Sequence, residues 1–411
     1  MTVPTKSSWH PASSFGWIDI DRDEAKRVRE MLGLFTTPEA IDPHGILPLQ
    51  IALSERLFPG MSTQHTRARY VMFAAWHAQR LAVHRSARTP HEQLRVDEVG
   101  LMRSLLDSTD NAGVFGRRNR EKTKTLPTSV YWGLLQKWKI IAPDLTIADI
   151  GSQIDTARAR RERGQRSDDA QTWADPRLTA VLPTEFPPPP DGFPFSDQTL
   201  QLTTAEVDYL RDRVAASCQQ SFLHEVFSTP ELATGEHPWS IDPDRGGQDL
   251  VDARCFSELI HPARLLYTKL LVADARKLGR DLGDIDEAIT RDFAQWRQEC
   301  DHRTSTLQRW ADSRLVPLLS EPDVRLSGTR KNFIESAIRL TAADPNGCLE
   351  SKELERRVRS IERDVKRNTA RLRDGEPFRR WVKHPTRLAS QRLDYRWSNV
   401  CRFVDDLNEA S

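Results

Sequence analysis

Apolar residues recur along this chain at intervals of three and four, and strand-like alternation is hard to find, so the pattern predicts helices almost throughout. Val28, Leu32 and Phe35 mark one helix, and Leu49, Leu53 and Leu57 mark another that Pro59-Gly60 stops. Ser62 or Thr63 is expected to cap a longer helix through Tyr70, Phe73, Trp76 and Leu81 to about Arg88. A helix around Val96 to Leu106, a basic loop from Phe115 to Leu126 and a short aromatic helix from Ser129 to Trp138 follow. Farther on, Thr203 or Thr204 caps a helix with Val207, Leu210 and Val214 on one face. The strongest pattern is a stripe from Phe256 to Leu271, in which Pro262 predicts a kink or interruption because proline lacks the amide proton the ladder needs. A second stripe from Ile285 to Trp310 completes what reads as a long antiparallel hairpin. Ser327 to Ala342 is also helical, and Leu354, Val358, Ile361, Val365 and Leu372 form one seam of a last helix capped by Ser351.

The length of 411 residues exceeds what one hydrophobic core usually serves. Leu182 to Phe195 contains PTEFPPPPDGFPF, whose consecutive prolines favour an extended polyproline form over helix or sheet interior. The expected fold is therefore mainly α. A helical N-terminal domain spans 1–170, with room for a winged-helix-like unit at about 91–160; a proline-rich linker spans 171–200; a C-terminal helical domain with a basic end spans 201–411.

Charge narrows the function classes only slightly. Lys and Arg number 60 against 59 Asp and Glu, a formal charge of +1, so no whole-molecule field marks a polyanion or membrane binder. The start, Met1 to Ala12, is polar, and the most apolar short run, Tyr70 to Trp76, is too short for a span; neither leader nor anchor is expected, and the location is read as cytoplasmic. The five cysteines lie far apart without a CxxC pair, which fits reduced, mostly buried thiols.

Motifs for chemistry are scarce. No P-loop, GxGxxG, GxSxG or HExxH occurs, and no cofactor is expected. His77, His84 and His91 recur at seven-residue spacing, but Pro90 interrupts them and no carboxylate or cysteine completes a metal site. Pro322-Asp323 with Glu350-Ser351-Lys352 imitates a metal-dependent nuclease signature. Those residues should then sit on neighbouring strands, whereas their surroundings read as helix, so a chance match is preferred and no catalytic residue is assigned.

Two basic clusters remain. Phe115 to Lys139 holds Arg117, Arg118, Arg120, Lys122, Lys124, Lys137 and Lys139 against the single acid Glu121, beside Tyr131, Trp132 and Trp138. The second brings together Arg356, Arg359, Arg363, Lys366, Arg367, Arg379, Arg380 and Lys383, interleaved with Phe378, Trp381, Tyr395 and Trp397. Guanidinium and ammonium groups beside aromatic rings suit a phosphate backbone with stacked bases. Two other readings stand beside this one: the aromatics are core and the charges a solvated face, or the arginine-flanked helix docks a partner protein.

The blocks SSFGWID (Ser13 to Asp19), LFPGMSTQHTRARY (Leu57 to Tyr70), GVFGRR (Gly113 to Arg118), LPTSVYWGLLQKWKI (Leu126 to Ile140) and LDYRWSNV (Leu393 to Val400) resemble an uncharacterised bacterial family, a domain of unknown function matching over essentially the full length. The resemblance implies a setting among helicase, nuclease and methylase genes of phage-defence neighbourhoods, and no activity. Pro262 stands where the family pattern implies Gly or Ala. The expectation is thus a non-catalytic, nucleic-acid-associated component of a bacterial anti-phage defence or DNA-processing system. It would bind DNA in preference to RNA through Arg117, Arg118, Arg120, Lys122, Lys124, Tyr131, Lys137 and the second cluster, beside a helicase, nuclease or methylase partner. Alternatives are a scaffold for a partner enzyme and, third, a metal-dependent nuclease.

Overall fold

In a computed structural model of the protein, the described residues are 42–83, 88–117, 126–150, 181–240, 245–385 and 392–410. The chain divides into two units between Ile41 and Asp42, and all described residues belong to the second, which runs across the position of the expected linker. Among the described residues there are helices and no strands.

Leu49, Leu53 and Leu57 lie fully buried on one face of α1 (Leu47–Leu57). The helix α2 (Tyr70–Val83) begins later than Ser62 or Thr63 would place it. Residues 62–69 are instead held in turns. The Ser62 amide donates to His65 Nδ1 at 3.1 Å, and the Thr66 and Arg67 amides donate to the Tyr131 hydroxyl at 2.9 and 3.3 Å. A helix there would use those amides in its own ladder. By contrast α3 (Pro90–Asp107) starts earlier than expected, because Thr89 and Glu92 close a reciprocal capping box ahead of it. On α4 (Pro127–Lys137) Tyr131 packs toward α2, its ring 5.7 Å from that of Tyr70 and 4.3 Å from His65.

Two further helices, α5 (Thr204–Ser217), which Thr203 and Glu206 cap in the same reciprocal way, and α6 (Phe222–Ser228), lead into the longest one. That is α7 (Gly247–Lys277), a 31-residue helix with Pro262 inside it. The proline does not interrupt it. Pro262 has no N–H for the Glu258 carbonyl four residues back, and the indole of Trp296 donates to that carbonyl at 2.8 Å instead. Trp296 lies on α8 (Gly283–Cys300), which packs on α7 and ties to it by Arg276–Asp286 at 3.1 Å.

The second apolar stripe is broken at Asp301–Arg303 into α8 and α9 (Thr304–Ser313). Thereafter come α10 (Leu315–Leu319), α11 (Gly328–Ala343), α12 (Lys352–Lys366), α13 (Glu376–Lys383) and α14 (Trp397–Asn408). The helix α12 ends before Leu372, as Arg367 turns out with φ +47, yet Leu372 is still buried.

The prolines of 187–190 lie outside any helix, and their stretch is seated on α2: Trp76 donates its indole N–H to the Pro187 carbonyl at 2.8 Å. Charged groups join distant segments. Arg67 pairs with Asp406 at 2.7 Å, Arg69 with Glu206 at 2.9 Å, and Arg396 with Glu55 at 3.2 Å. Four cysteines are buried and Cys401 is half-buried; all five are free. No described helix is long and apolar enough to cross a membrane.

Candidate nucleic-acid interface

Of the first basic cluster, Arg117 is exposed, and Arg118, Arg120, Lys122 and Lys124 lie outside the described residues. Tyr131 is not a surface contact. It is fully buried, accepts the two amides named above and donates to the Arg67 carbonyl at 2.9 Å, so burial pushes its hydroxyl well above the usual tyrosine range. Its hydroxyl organises the turn into α2, and a base could not reach its ring. Trp132 and Trp138 are likewise core, with indoles donating to the carbonyls of Leu145 and Pro59. Lys137 is exposed and stands 3.4 Å from Glu55, a carboxylate that Arg396 shares.

The second cluster is built on α12. Leu354, Val358 and Ile361 bury its inner face, and Ser351 Oγ accepts the Leu354 amide at its start. Glu362, also buried, accepts the Tyr267 hydroxyl at 2.8 Å and the Arg371 and Leu372 amides at 2.7 and 2.9 Å. This single carboxylate fastens α12 to α7 and folds the segment after it back against the helix.

The outer faces divide the cations into two kinds. Arg359 is half-buried and held by Glu355 and by Asp274 of α7, each at 3.0 Å, so it is a structural tie and not a contact for a ligand. Lys366 is half-buried and engaged within the protein. Arg356 and Arg357 share Glu353, whose carboxyl the two guanidiniums, Arg357 first, hold below the usual range. Arg363 and Arg367 are exposed and have no ion pair among the described residues. Arg356 and Arg363, spaced seven, share one face of α12 at an interval of about 10 Å at the helical rise, and Arg367 stands just past the helix end.

On α13, Phe378 and Trp381 point inward, while Arg379 pairs with Asp374 at 3.1 Å, Arg380 reaches Glu376 at 3.9 Å and Lys383 is exposed. The carboxylates of both pairs, and Glu353, are at the surface or half-buried. Exposed pairs of this sort contribute between 0 and about 1 kcal/mol, so their cations exchange readily onto another anion. The aromatics Phe378, Trp381, Tyr395 and Trp397 are buried, so none of these four rings offers a stacking platform beside the charges.

The nuclease-like residues are dispersed. Asp323 accepts Arg56 Nε at 2.8 Å, Glu350 pairs with Lys269 at 3.0 Å, and Lys352 pairs with Glu355 at 3.2 Å. Arg67 is spent on Asp406 and Asp110. His77 is buried, His91 exposed, and His84 outside the described residues. No group of three His, Cys, Asp or Glu side chains is placed to hold a metal among the described residues.

Sequence reasoning missed Glu362 as the anchor of α12, since an acid amid arginines reads as one more surface charge. Its position gave the one available signal: it stands directly after Ile361, one step round from the apolar seam.

Residues 12–411 match a family described as "Family of unknown function (DUF6361)". No curated protein and no solved structure matches the chain.

Proposed function

We propose, for a chain that belongs to a family whose description assigns no activity, a non-catalytic role in nucleic-acid association within a bacterial anti-phage defence or DNA-processing system. The observation that carries this reading is the pair of exposed arginines Arg356 and Arg363 on the outer side of α12, with Arg367 at its end, on a helix that Glu362 fastens from beneath. Rigidly presented guanidiniums reach phosphate with two donors each. With Tyr131 and the aromatics of the second cluster in the core, the reading rests on backbone contact and carries no base recognition. Arg117, Lys137, Arg379, Arg380 and Lys383 are secondary contacts. DNA is the preferred polymer, and a helicase, nuclease or methylase the preferred neighbour.

A winged-helix-like unit at about 91–160 is not needed: α3 and α4 fall there, without a strand among its described residues. Helix α7, read with α8 as the antiparallel hairpin, supports α12. The rival reading, a scaffold for a partner enzyme, uses the same arginine face against acidic protein.

Fluorescence anisotropy with duplex and single-stranded DNA and RNA at two salt concentrations tests the proposal. Charge reversal of Arg363 and Arg367 together should abolish binding at the higher salt and flatten the salt dependence. Absence of binding at low salt, or indifference to the reversal, would overturn it. Capture of an acidic protein by the wild type but not by the reversed variant, without DNA binding, would favour the scaffold.

A further inference from the structure

The C-terminal end of α4 opens into a groove of about 500 Å³ that Lys137, Lys139, Arg213, Ile141, Pro143 and Pro183 line together. Three separate parts of the chain meet there: the end of α4, the third turn of α5 and the proline-rich stretch. The volume falls within the range of about 300–1,000 Å³ typical of small-molecule sites. Its charged lining is wholly cationic, with no carboxylate among the lining residues. Gln136 also lines it, but its amide nitrogen is committed to the Pro143 and Leu145 carbonyls.

The cations keep their charge available. Lys139 and Arg213 have no ion pair among the described residues, and the Glu55 beside Lys137 is shared with Arg396 and the Gly60 amide. Lys139 also occupies a costly backbone position. Its amide donates to the Gln136 carbonyl, and that of Ile140 to Leu135, the Schellman pattern that ends a helix. The residue at that turn is normally glycine, because φ is positive; here a lysine holds φ +54. The helix dipole accounts for cations at the end of α4, but not for Arg213, which comes from another helix.

We infer that this groove binds an organophosphate of mononucleotide size, its phosphate between Lys137, Lys139 and Arg213 and its base on Ile141, Pro143 and Pro183. Three cations call for more negative charge than a single carboxylate carries, and the apolar floor calls for more than a bare anion. The site is separate from the α12 arginines and stands whether or not that face binds DNA.

Calorimetric titration of the full chain with AMP, adenosine, inorganic phosphate and decanoate tests it, on the wild type and on Lys139→Gly and Arg213→Gln. AMP is expected to bind more tightly than the other three, and each substitution should weaken it about tenfold, the scale of one charge-assisted hydrogen bond. Lys139→Gly should at the same time melt no lower than the wild type, since glycine relieves the positive φ. That combination separates a ligand contact from a structural role. No AMP binding at millimolar concentration overturns the inference, as does AMP binding that both substitutions leave unchanged. Adenosine binding as tight as AMP removes the phosphate contact, phosphate as tight as AMP removes the base contact, and a preference for decanoate replaces the ligand class. DNA binding by α12 should be unaffected by either substitution.

Discussion

Trp296 stands in for the amide that Pro262 lacks, donating its indole N–H to the Glu258 carbonyl at 2.8 Å. Both the proline and the indole are buried, so without the indole this carbonyl would be without its helical donor away from water. Trp296→Phe should therefore cost about 1–3 kcal/mol for the unsatisfied carbonyl, beyond any packing change. In a Pro262→Ala background, where residue 262 can again donate, the same substitution should cost less. A double-mutant cycle by denaturant unfolding measures the difference, and additivity would show that the two residues act independently.

Arg67 and Asp406 are both largely buried, and Asp406 also accepts the Ala68 amide at 2.6 Å. Without Asp406, the buried Arg67 keeps only the exposed Asp110 as a carboxylate partner, and the Ala68 amide loses its acceptor. Asp406→Ala should lower stability by about 3–5 kcal/mol, whereas replacing both with apolar residues should cost less than the single change. Urea unfolding of the single and double variants checks this, and an equal loss in both would refute it.

Glu98 is buried, accepts the Thr128 amide at 2.6 Å and leaves its second oxygen without a partner; burial pushes its carboxyl up to about 7. A folded-state value above the unfolded one means that the native state binds the extra proton. Its stabilising contribution is full below about pH 4.5 and is lost as pH rises to about 7. Glu98→Gln retains an acceptor for Thr128 and carries no charge. Its advantage should grow from near zero at pH 4 to roughly 3 kcal/mol at pH 8, read from thermal melts across that range. Parallel curves for the two proteins would contradict the assignment.

His77 has the opposite sign. Both ring nitrogens are buried without partners beside Phe193, whose ring centre is 4.9 Å away, and burial pulls the imidazole down to about 3. Its contribution is present above about pH 6.5 and declines as pH falls toward 3. His77→Leu removes a charge-prone group with no hydrogen bond to lose, so its gain over the wild type should be about 2 kcal/mol larger at pH 5 than at pH 8. His44 and His65 are depressed in the same direction, so a steep acid limb should persist in the variant.

The helices were legible where periodicity and caps agree. Leu49, Leu53 and Leu57 marked α1, and Thr203 and Ser351 marked the starts of α5 and α12. The start of α2 was not, because Ser62 and Thr63 have the right chemistry for a cap while the Tyr131 hydroxyl, 65 residues from Thr66, takes the amides. Tertiary bonds of this range leave no local trace. Pro262 does not interrupt α7 for the same reason, its compensation lying on a different helix. At the candidate interface composition found the charges but not their fate. Arg359 and Arg363 are four residues apart and look alike in sequence, yet only Arg359 faces Asp274. Whether an arginine meets solvent or a carboxylate is decided by the neighbouring helix.

The clasp of α14 on the early segments carries a consequence for biosynthesis. Asp406 receives Arg67 and Ala68, Arg396 reaches Glu55, and the Asn399 amide reaches the Thr63 and His65 carbonyls. The first helices made thus lack their partners until some of the last residues have left the ribosome. While translation continues they hold Arg67 without its buried partner Asp406, and an unfinished apolar surface, the circumstance in which nascent chains depend on holdase protection and in which a premature stop leaves an aggregation-prone fragment.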